Sequence, residues 1–294
     1  MPSSPKLSTD QSKNPGVDLS AYASVESYPS QEDLNAWGRI RFTKASRRHD
    51  QHLDVGCGLG AFTRKHLLPY SRPCRRLVAV DSCRKVIEYA REHSWHPDLT
   101  YDVMDIEKGD DVARLLETYG KFDRVYSFMC FHFVKDQVAA YKNVGKLLAG
   151  DGECVVVSCV ATALTDIWLQ VHQTKKWKAF VPDPKSIFSP QFRFNCVTPM
   201  AQIEEETKRL IQEAGLECIS CEVYENSWTF PDIETVIHFF FTIFGSEDVV
   251  PEEEKDAFRS VWRTILEKKT EERADGSRQL KFLIYVAHAR HQPQ

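Results

Sequence analysis

Between residues 50 and 160, short apolar runs alternate with longer amphipathic stretches, and this rhythm constrains the fold more than any other feature of the sequence. The apolar runs, which are rich in β-branched residues, are HLDVG, RRLVAVD, LTYDVMD, FDRVYSF and ECVVVSCV. Each is followed by a stretch with helical periodicity, the first being AFTRKHLL. Strands that are apolar along their whole length are typical of a parallel sheet with helices on both faces. The sequence therefore predicts an α/β fold with a doubly wound sheet and right-handed crossovers.

The rhythm changes after residue 160, where a loop rich in Pro and Phe is followed by longer elements. We expect a helix at 199–214, a strand at 216–230, helices at 232–244 and 251–270, and a last strand at 279–289. The first 20 residues are rich in Pro, Ser and charge and poor in large apolar groups, which predicts a flexible tail. Residues 21–294 then form a single domain.

Composition restricts the cellular compartment and the binding partners that we expect for this chain. The formal net charge is -4 and the pI is near 6.2, which gives no positive field for a nucleic-acid backbone. The most apolar run, VIHFFFTIF at 236–244, is shorter than the ~20 residues that span a bilayer. Nine cysteines without an N-terminal secretory signal favour free thiols. We expect a cytoplasmic protein with no membrane span and no nucleic-acid partner.

Cys218 and Cys221 form a C-x-x-C within LECISCEVYE, a spacing also found in zinc sites. The surrounding alternation is that of a strand, which would point positions i and i+3 to opposite faces. We therefore expect structural cysteines here, and no metal site in the chain.

The stretch LDVGCGLGAF places Gly56, Gly58 and Gly60 directly after the first predicted strand. Ligands of open α/β sheets bind at the carboxyl ends of the strands, and glycine lets a ligand approach the main chain. Gly56, Gly58 and Ala61 also match the pattern G-x-G-x-x-G/A of dinucleotide sites. Asp81, about twenty residues further on, stands where such sites have an acid that binds ribose hydroxyls.

Asp54, just ahead of the glycines, distinguishes a dinucleotide from a second candidate ligand, S-adenosylmethionine. A carboxylate there repels a pyrophosphate but suits an ammonium group with a nearby sulfonium, both of which S-adenosylmethionine carries. Asp81 suits its ribose, and Asp105 with Ile106 after the third strand suits its adenine. The alternative for each acid is a helix N-cap, but capping does not require acids at all three turns.

The pattern D-x-G-x-G-x-G with an acid closing the second strand resembles that of class I S-adenosylmethionine-dependent methyltransferases. GKFDRVYSFMCFHFVKDQVAAYKNVGKLLAGDGECVVV, followed by TKKWKAFV and SIFSPQF, is similar to arthropod juvenile hormone acid and farnesoic acid O-methyltransferases. The resemblance implies a seven-stranded, mostly parallel Rossmann-like sheet whose last strand is antiparallel. It also implies a helical lid over an apolar acceptor pocket, built from about 21–45, 163–200 and 231–272.

The same resemblance implies the site residues and the activity. S-adenosylmethionine would be held by a set of residues at the strand ends, with the last two beneath it: Asp54, Gly56, Cys57, Gly58, Asp81, Ser82, Asp105, Ile106, Ser127 and Phe128. Gln31 would orient the substrate carboxylate, and His132 with Phe133 occupies the position of the family's His-Trp pair. The implied activity is methyl transfer to the carboxylate of an apolar acid such as farnesoic or juvenile hormone acid.

Phe133 departs from the family pattern, because phenylalanine has no N–H with which to bind a carboxylate. The alternatives are therefore another small acid, a hydroxyl or a thiol as acceptor, or a catalytically weak homologue that binds lipid or cofactor. His132 could act as a base, bind a carboxylate or serve the fold. Nine aromatic side chains could line the acceptor pocket or simply fill the core: Trp37, Phe131, Trp168, Phe188, Phe192, Trp228, Phe239, Phe240 and Phe244.

Overall fold

The computed structural model describes residues 18–244 and 250–292. Most of the predicted N-terminal tail, residues 1–17, therefore lies outside the described residues, as does the side chain of Phe244. The first helix, α1, begins at Leu19, with Asp18 as its N-cap.

The centre of the molecule is one sheet. Its strands in chain order are β1 (Gln51–Val55), β2 (Arg76–Asp81), β3 (Leu99–Val103), β4 (Phe122–Phe128), β5 (Leu148–Thr162), β6 (Leu216–Phe230), β7 (Glu271–Glu272) and β8 (Arg278–His291). The spatial order is β3-β2-β1-β4-β5-β8-β6, in which β1 to β5 are parallel and β8 runs antiparallel to both neighbours. The predicted doubly wound sheet with an antiparallel last strand is confirmed. The two-residue β7, which pairs with β8, adds an eighth strand.

Helices connect the strands and extend from the sheet. They are α1 (Leu19–Val25), α2 (Ser27–Trp37), α3 (Leu68–Ser71), α4 (Arg84–His93), α5 (Gly109–Tyr119), α6 (Gln137–Leu147), α7 (Ala163–Gln173), α8 (Met200–Glu213), α9 (Ile233–Phe244) and α10 (Lys255–Lys269). A π-helical turn, Thr63–Leu67, leads into α3. The helices that follow residue 160 lie close to their predicted bounds.

Both faces of the sheet are covered by apolar side chains, which explains why its strands are apolar throughout. In β2, Leu77 and Ala79 belong to one core cluster, whereas Val78 and Val80 belong to the other. The inserted helices α7, α9 and α10 join the first cluster, where Trp262 of α10 packs against rings of α9. At ~25 cal/mol per Å² of apolar surface, burial on two faces supplies the main stabilisation of such a sheet.

The geometry expected for Cys218 and Cys221 is wrong. The pairing of β6 with β8 shifts between Cys218 and Ser220, so one extra residue lies between the two cysteines. Both side chains consequently pack against the same core cluster. Neither forms a disulfide, and no group of His, Cys, Asp or Glu in the described ranges is arranged to hold a metal. No described helix has the length and apolar character needed to cross a bilayer.

Candidate active site

A cavity of about 210 Å³ lies at the carboxyl ends of β1 to β4, the position predicted for the ligand. One part of its wall is formed by the strand ends and the glycine turn. The other part comes from α1, from the segment after β4 and from the inserted elements. Seven of the predicted site residues line it: Gly56, Gly58, Asp81, Ser82, Asp105, Ile106 and Phe133.

The glycines after β1 have different neighbours. Gly56, at φ 79°, is so close to the side chain of Cys130 that a Cβ atom would overlap it, and Gly60 has the same relation to the ring of Tyr101. Gly58, at φ 55°, would direct a Cβ atom into open space. Gly58 therefore has room for a ligand where a side chain would otherwise stand, while Gly56 lines the cavity with its main chain and, like Gly60, is packed too closely for a Cβ atom.

Asp81 holds the turn in place from the end of β2. Its Oδ2 atom accepts a hydrogen bond from the backbone N–H of Gly58 over 3.2 Å, and its Oδ1 atom accepts from the N–H of Cys83 over 2.9 Å. The carboxylate is half-buried on the cavity wall, next to the exposed Ser82. Both the predicted ligand contact and the capping alternative agree with this position.

Asp105 and Ile106 follow β3 and close another side of the cavity. Asp105 is 7% exposed, and its Oδ1 atom accepts from the backbone N–H of Glu107 over 3.1 Å. The carbonyl of Ile106 accepts from Nδ2 of Asn143, which fixes the Ile106 main chain against α6. These contacts place an acid and an apolar surface side by side, as the adenine prediction requires.

Asp54 lies beneath the turn rather than on the cavity wall. It is 2% exposed, and its Oδ2 atom accepts from the hydroxyl of Thr63 over 2.6 Å. Burial raises the pKa of Asp54 to about 7, although the Thr63 hydrogen bond opposes the shift. Cys57 is also buried, and burial raises the pKa of its thiol well above the usual value. Neither side chain reaches the cavity in this conformation.

Ser127 and Phe128 belong to the interior of the fold. Ser127 donates from Oγ to the carbonyl of Val55 over 2.8 Å, and Phe128 packs against the rings of Trp37 and Phe62. Both are nearly inaccessible to solvent. That they lie beneath the cofactor stays a prediction. In the structure, the hydrogen bond from Ser127 to Val55 joins the neighbouring strands β1 and β4.

His132 and Phe133 lie in the turn after β4, one behind the other. Phe133 is 37% exposed and lines the cavity, whereas His132 is 7% exposed and packs behind it at a ring distance of 4.1 Å. Nδ1 of His132 is 3.2 Å from Oγ of Ser158, and burial lowers the pKa of the imidazole to about 3. A neutral, enclosed histidine of this kind supports Phe133 and is poorly suited to act as a base.

The predicted position of Gln31 is not supported by the geometry. Gln31 lies on the exposed side of α2, and its Nε2 atom is 3.4 Å from Oδ1 of Asn35. Two residues further along the helix, Asp33 points inward and is 4% exposed. Its Oδ1 atom has no hydrogen-bond partner among the described residues. The helical period therefore brings an acid, and not the amide, towards the interior.

Residues 53–156 match the sequence model of a family described as a methyltransferase domain. This part of the chain is a methyltransferase domain. The predicted resemblance to class I methyltransferases is thereby confirmed, and so is S-adenosylmethionine as the cofactor of the domain.

Two curated relatives are named juvenile hormone acid O-methyltransferase. The one from Bombyx mori is 26% identical over 187 residues, which is 64% of each chain and thus less than two thirds of the silkworm enzyme. The one from Drosophila melanogaster is 24% identical over 252 residues, covering 83% of this chain and 82% of the relative. A solved S-adenosylmethionine-dependent methyltransferase from Anabaena variabilis shares the fold. It is 13% identical, with a TM-score of 0.53, and the match covers 99% of this chain and 98% of that one.

The lining of the cavity fits a cationic ligand such as S-adenosylmethionine. Gly58 leaves open space at the main chain, and Asp81 and Asp105 lie on the wall. Among the described residues that line the cavity, none is Lys, Arg or His. A sulfonium with an ammonium group therefore meets carboxylates and no like charge.

Sequence reasoning missed several residues of the cavity wall. Tyr22 of α1 and Ile243 of α9 come from regions expected only to form a lid. Met129 and Cys130 follow β4, and Met129 has φ 47°, an uncommon conformation for a residue with a side chain. No pattern in the sequence signals a left-handed methionine. Of the nine aromatic candidates, Trp168 lines the cavity, while the described side chains of most others pack in the core.

Proposed function

We propose that the methyltransferase domain transfers a methyl group from S-adenosylmethionine to the carboxylate of an apolar acid. The names of the two insect relatives support this acceptor class. Bound at the strand ends, S-adenosylmethionine supplies an electrophilic methyl group on a positively charged sulfur.

The wall opposite the strand ends supports an apolar acceptor. Its side chains from the inserted elements and the β4 turn are aliphatic or aromatic: Leu19, Phe133, Val134, Trp168, Ile187 and Ile243. The indole N–H of Trp168 donates to the carbonyl of Pro182 over 2.9 Å, so this ring contributes packing surface to the wall. An isoprenoid or fatty chain would be desolvated against such a surface at ~25 cal/mol per Å².

The observation that carries the proposal is the enclosed position of His132 behind Phe133. A hydroxyl acceptor needs a base near the reacting oxygen, whereas a carboxylate is already ionised at neutral pH. His132 lies behind Phe133 with a pKa of about 3, and none of the described side chains that form the apolar wall is a base. A carboxylate and a sulfonium neutralise each other as the methyl group moves, which favours a dry cavity. The residues therefore position the acceptor and exclude water.

The acceptor test compares matched molecules. Purified protein is incubated with methyl-labelled S-adenosylmethionine and farnesoic acid, the epoxidised acid, dodecanoic acid, farnesol or malonate. The proposal predicts label in an alkali-labile ester of the apolar acids and none with farnesol or malonate. Transfer to farnesol would establish a hydroxyl acceptor instead. Absence of transfer to every acid, with the donor bound in a separate titration, would identify a binding protein.

A further inference from the structure

The inserted segment 183–189 contributes to the apolar wall of the cavity and is held there by contacts with other parts of the chain. Ile187 lines the cavity, and the ring of Phe188 is stacked on that of Phe133 at a distance of 5.4 Å. The N–H groups of Ile187 and Phe188 both donate to the carbonyl of Pro184, which makes the segment a single short turn. Since one helical turn is not stable by itself, outside contacts must fix its position.

Lys135, which precedes α6, holds this segment through its side chain. Its ammonium group donates to the carbonyl of Phe188 and to that of Lys185, the latter over 3.5 Å. An ammonium group has three donors, so it can serve both carbonyls at once. Hydrogen bonds from a charged donor are also stronger than those between neutral groups. The two carbonyls flank Ile187 in the sequence, and Lys135 therefore holds the segment on both sides of this residue.

Glu107 fixes Lys135 from the turn that follows β3. Its Oε1 atom accepts from the backbone N–H groups of Lys135 and Asp136, each over 2.9 Å. Glu107 directly follows Asp105 and Ile106, which line the cavity where we expect the adenine. Asp136 is the N-cap of α6, so the same contact resembles a capping box. The turn after β3 and the apolar wall are thus connected through one lysine.

Two other contacts attach the segment at its end. The N–H of Ser189 donates to the carbonyl of His132 over 2.7 Å, and Nε2 of Gln137 donates to Oγ of Ser189 over 3.3 Å. All three residues are buried. Removal of the Lys135 ammonium should therefore loosen the wall at Ile187 while the segment stays attached at Ser189.

We propose that Lys135 is a positioning residue for the acceptor, and that Glu107 holds it so that Ile187 is set relative to the turn after β3. The proposal rests on the proposed function only for the identity of the acceptor. Neither Lys135 nor Glu107 is among the described residues that line the cavity, so their effect passes through the main chain on either side of Ile187. The alternative role of Glu107 is a cap that stabilises α6 alone.

Hydrogen exchange measured by mass spectrometry tests this positioning without any acceptor. Lys135→Met removes the ammonium but keeps the backbone N–H that Glu107 binds, and Glu107→Ala removes the carboxylate. Both should speed exchange of the amides at 187–189 about fivefold or more. Lys135→Arg and Glu107→Gln, which keep a donor and an acceptor, should retain slow exchange. Lys142→Met, at an exposed lysine of α6, is the control. Unchanged exchange at 187–189 in Lys135→Met, or faster exchange confined to α6 in Glu107→Ala, would overturn the proposal.

Calorimetry on the complex with S-adenosylhomocysteine, which has no methyl group to transfer, measures acceptor affinity apart from donor affinity. Farnesoic acid should bind about fivefold more weakly to Lys135→Met and Glu107→Ala, while S-adenosylhomocysteine affinity changes less than about twofold. Equal losses for the two ligands would indicate a general loss of stability and contradict the positioning role. Failure of farnesoic acid to bind the unaltered protein would contradict the proposed acceptor alone, because the exchange comparison still decides the role of Lys135.

Discussion

Gly56 and Cys130 are in such close contact at the cavity wall that the glycine has no room for a side chain. The contact joins the turn after β1 to the turn after β4, whose next residues carry Phe133. Gly56 also donates its N–H to the carbonyl of Val80 over 2.8 Å, which ties the same turn to β2. The glycine turn and the turn that carries Phe133, which form two walls of the cavity, are thus set relative to each other by packing at one glycine.

Alanine at two glycines should separate packing from ligand contact. Gly56→Ala introduces an overlap with Cys130 at positive φ, so we expect a loss of about 2 kcal/mol or more in the free energy of unfolding. Gly58→Ala meets open space and should cost only about 1 kcal/mol from backbone strain, but its methyl group enters the donor site. Urea unfolding measures the loss of stability, and S-adenosylhomocysteine titration measures the loss of donor affinity.

Gly150→Ala is the control for both glycine variants, because Gly150 has open space around it and an ordinary φ. Full donor affinity in Gly58→Ala would contradict the role given to this glycine.

Changes at Phe133 should act on the acceptor and not on the donor. Its ring lines the cavity and packs at 5.4 Å from that of Phe188. Phe133→Ala removes part of the apolar wall and should raise the KM for farnesoic acid roughly tenfold, because a partly buried ring contributes about 1.5 kcal/mol. Phe133→Trp restores an N–H at this position and should increase kcat/KM for carboxylates. Steady-state kinetics and donor titration test both. A tenfold loss of donor affinity in either variant would show that this ring belongs to the donor site.

The pH profile of the reaction should show no histidine ionisation. Since the pKa of His132 is about 3, the imidazole is neutral throughout the range in which the protein is stable. The kcat for an apolar acid should therefore be flat between about pH 6 and 8, as expected for an acceptor whose own pKa is near 4 to 5. His132→Gln should keep this flat profile while losing activity through poorer support of Phe133. A limb near pH 6.5 that disappears in His132→Gln would instead establish His132 as a base.

Acid should destabilise the fold through its buried histidines. Burial lowers the pKa of both His52 and His132 to about 3, against 6.5 for an exposed imidazole. Because the folded-state pKa is depressed, the stabilisation is complete above pH 6.5 and is lost progressively as the pH falls towards 3. Each histidine should cost about 2 kcal/mol at pH 5 relative to pH 7. Urea unfolding at the two pH values measures this. If His132→Gln has the same pH dependence as the unaltered protein, His132 does not titrate in this way.

The elements that sequence predicts well are those with one dominant period. The strands up to residue 160 can be predicted from local sequence, because burial on both faces makes them apolar throughout. The helix that follows Pro199 can be predicted from its helical periodicity. Cys218 and Cys221 show the limit. One additional residue in β6 reverses which face a side chain occupies, and a bulge leaves no local signature in the sequence.

The residues of the candidate site show the same contrast between positions set by local sequence and positions set by tertiary packing. Gly58, Asp81 and Asp105 were predictable because strand ends converge at one edge of a parallel sheet. The exposed position of Gln31 depends on the rotation of α2 about its axis, which tertiary packing decides. The inward position of Asp33 and the left-handed backbone of Met129 likewise follow from contacts between distant segments.

A crystal structure of the protein with S-adenosylhomocysteine and farnesoic acid tests the central claim most directly. We predict the ribose hydroxyls on Asp81, the adenine beside Asp105 and Ile106, and the farnesyl chain along Phe133, Trp168 and Ile187 with its carboxylate facing the sulfur. A nucleotide bound elsewhere, or a farnesyl chain outside this cavity, would contradict the account.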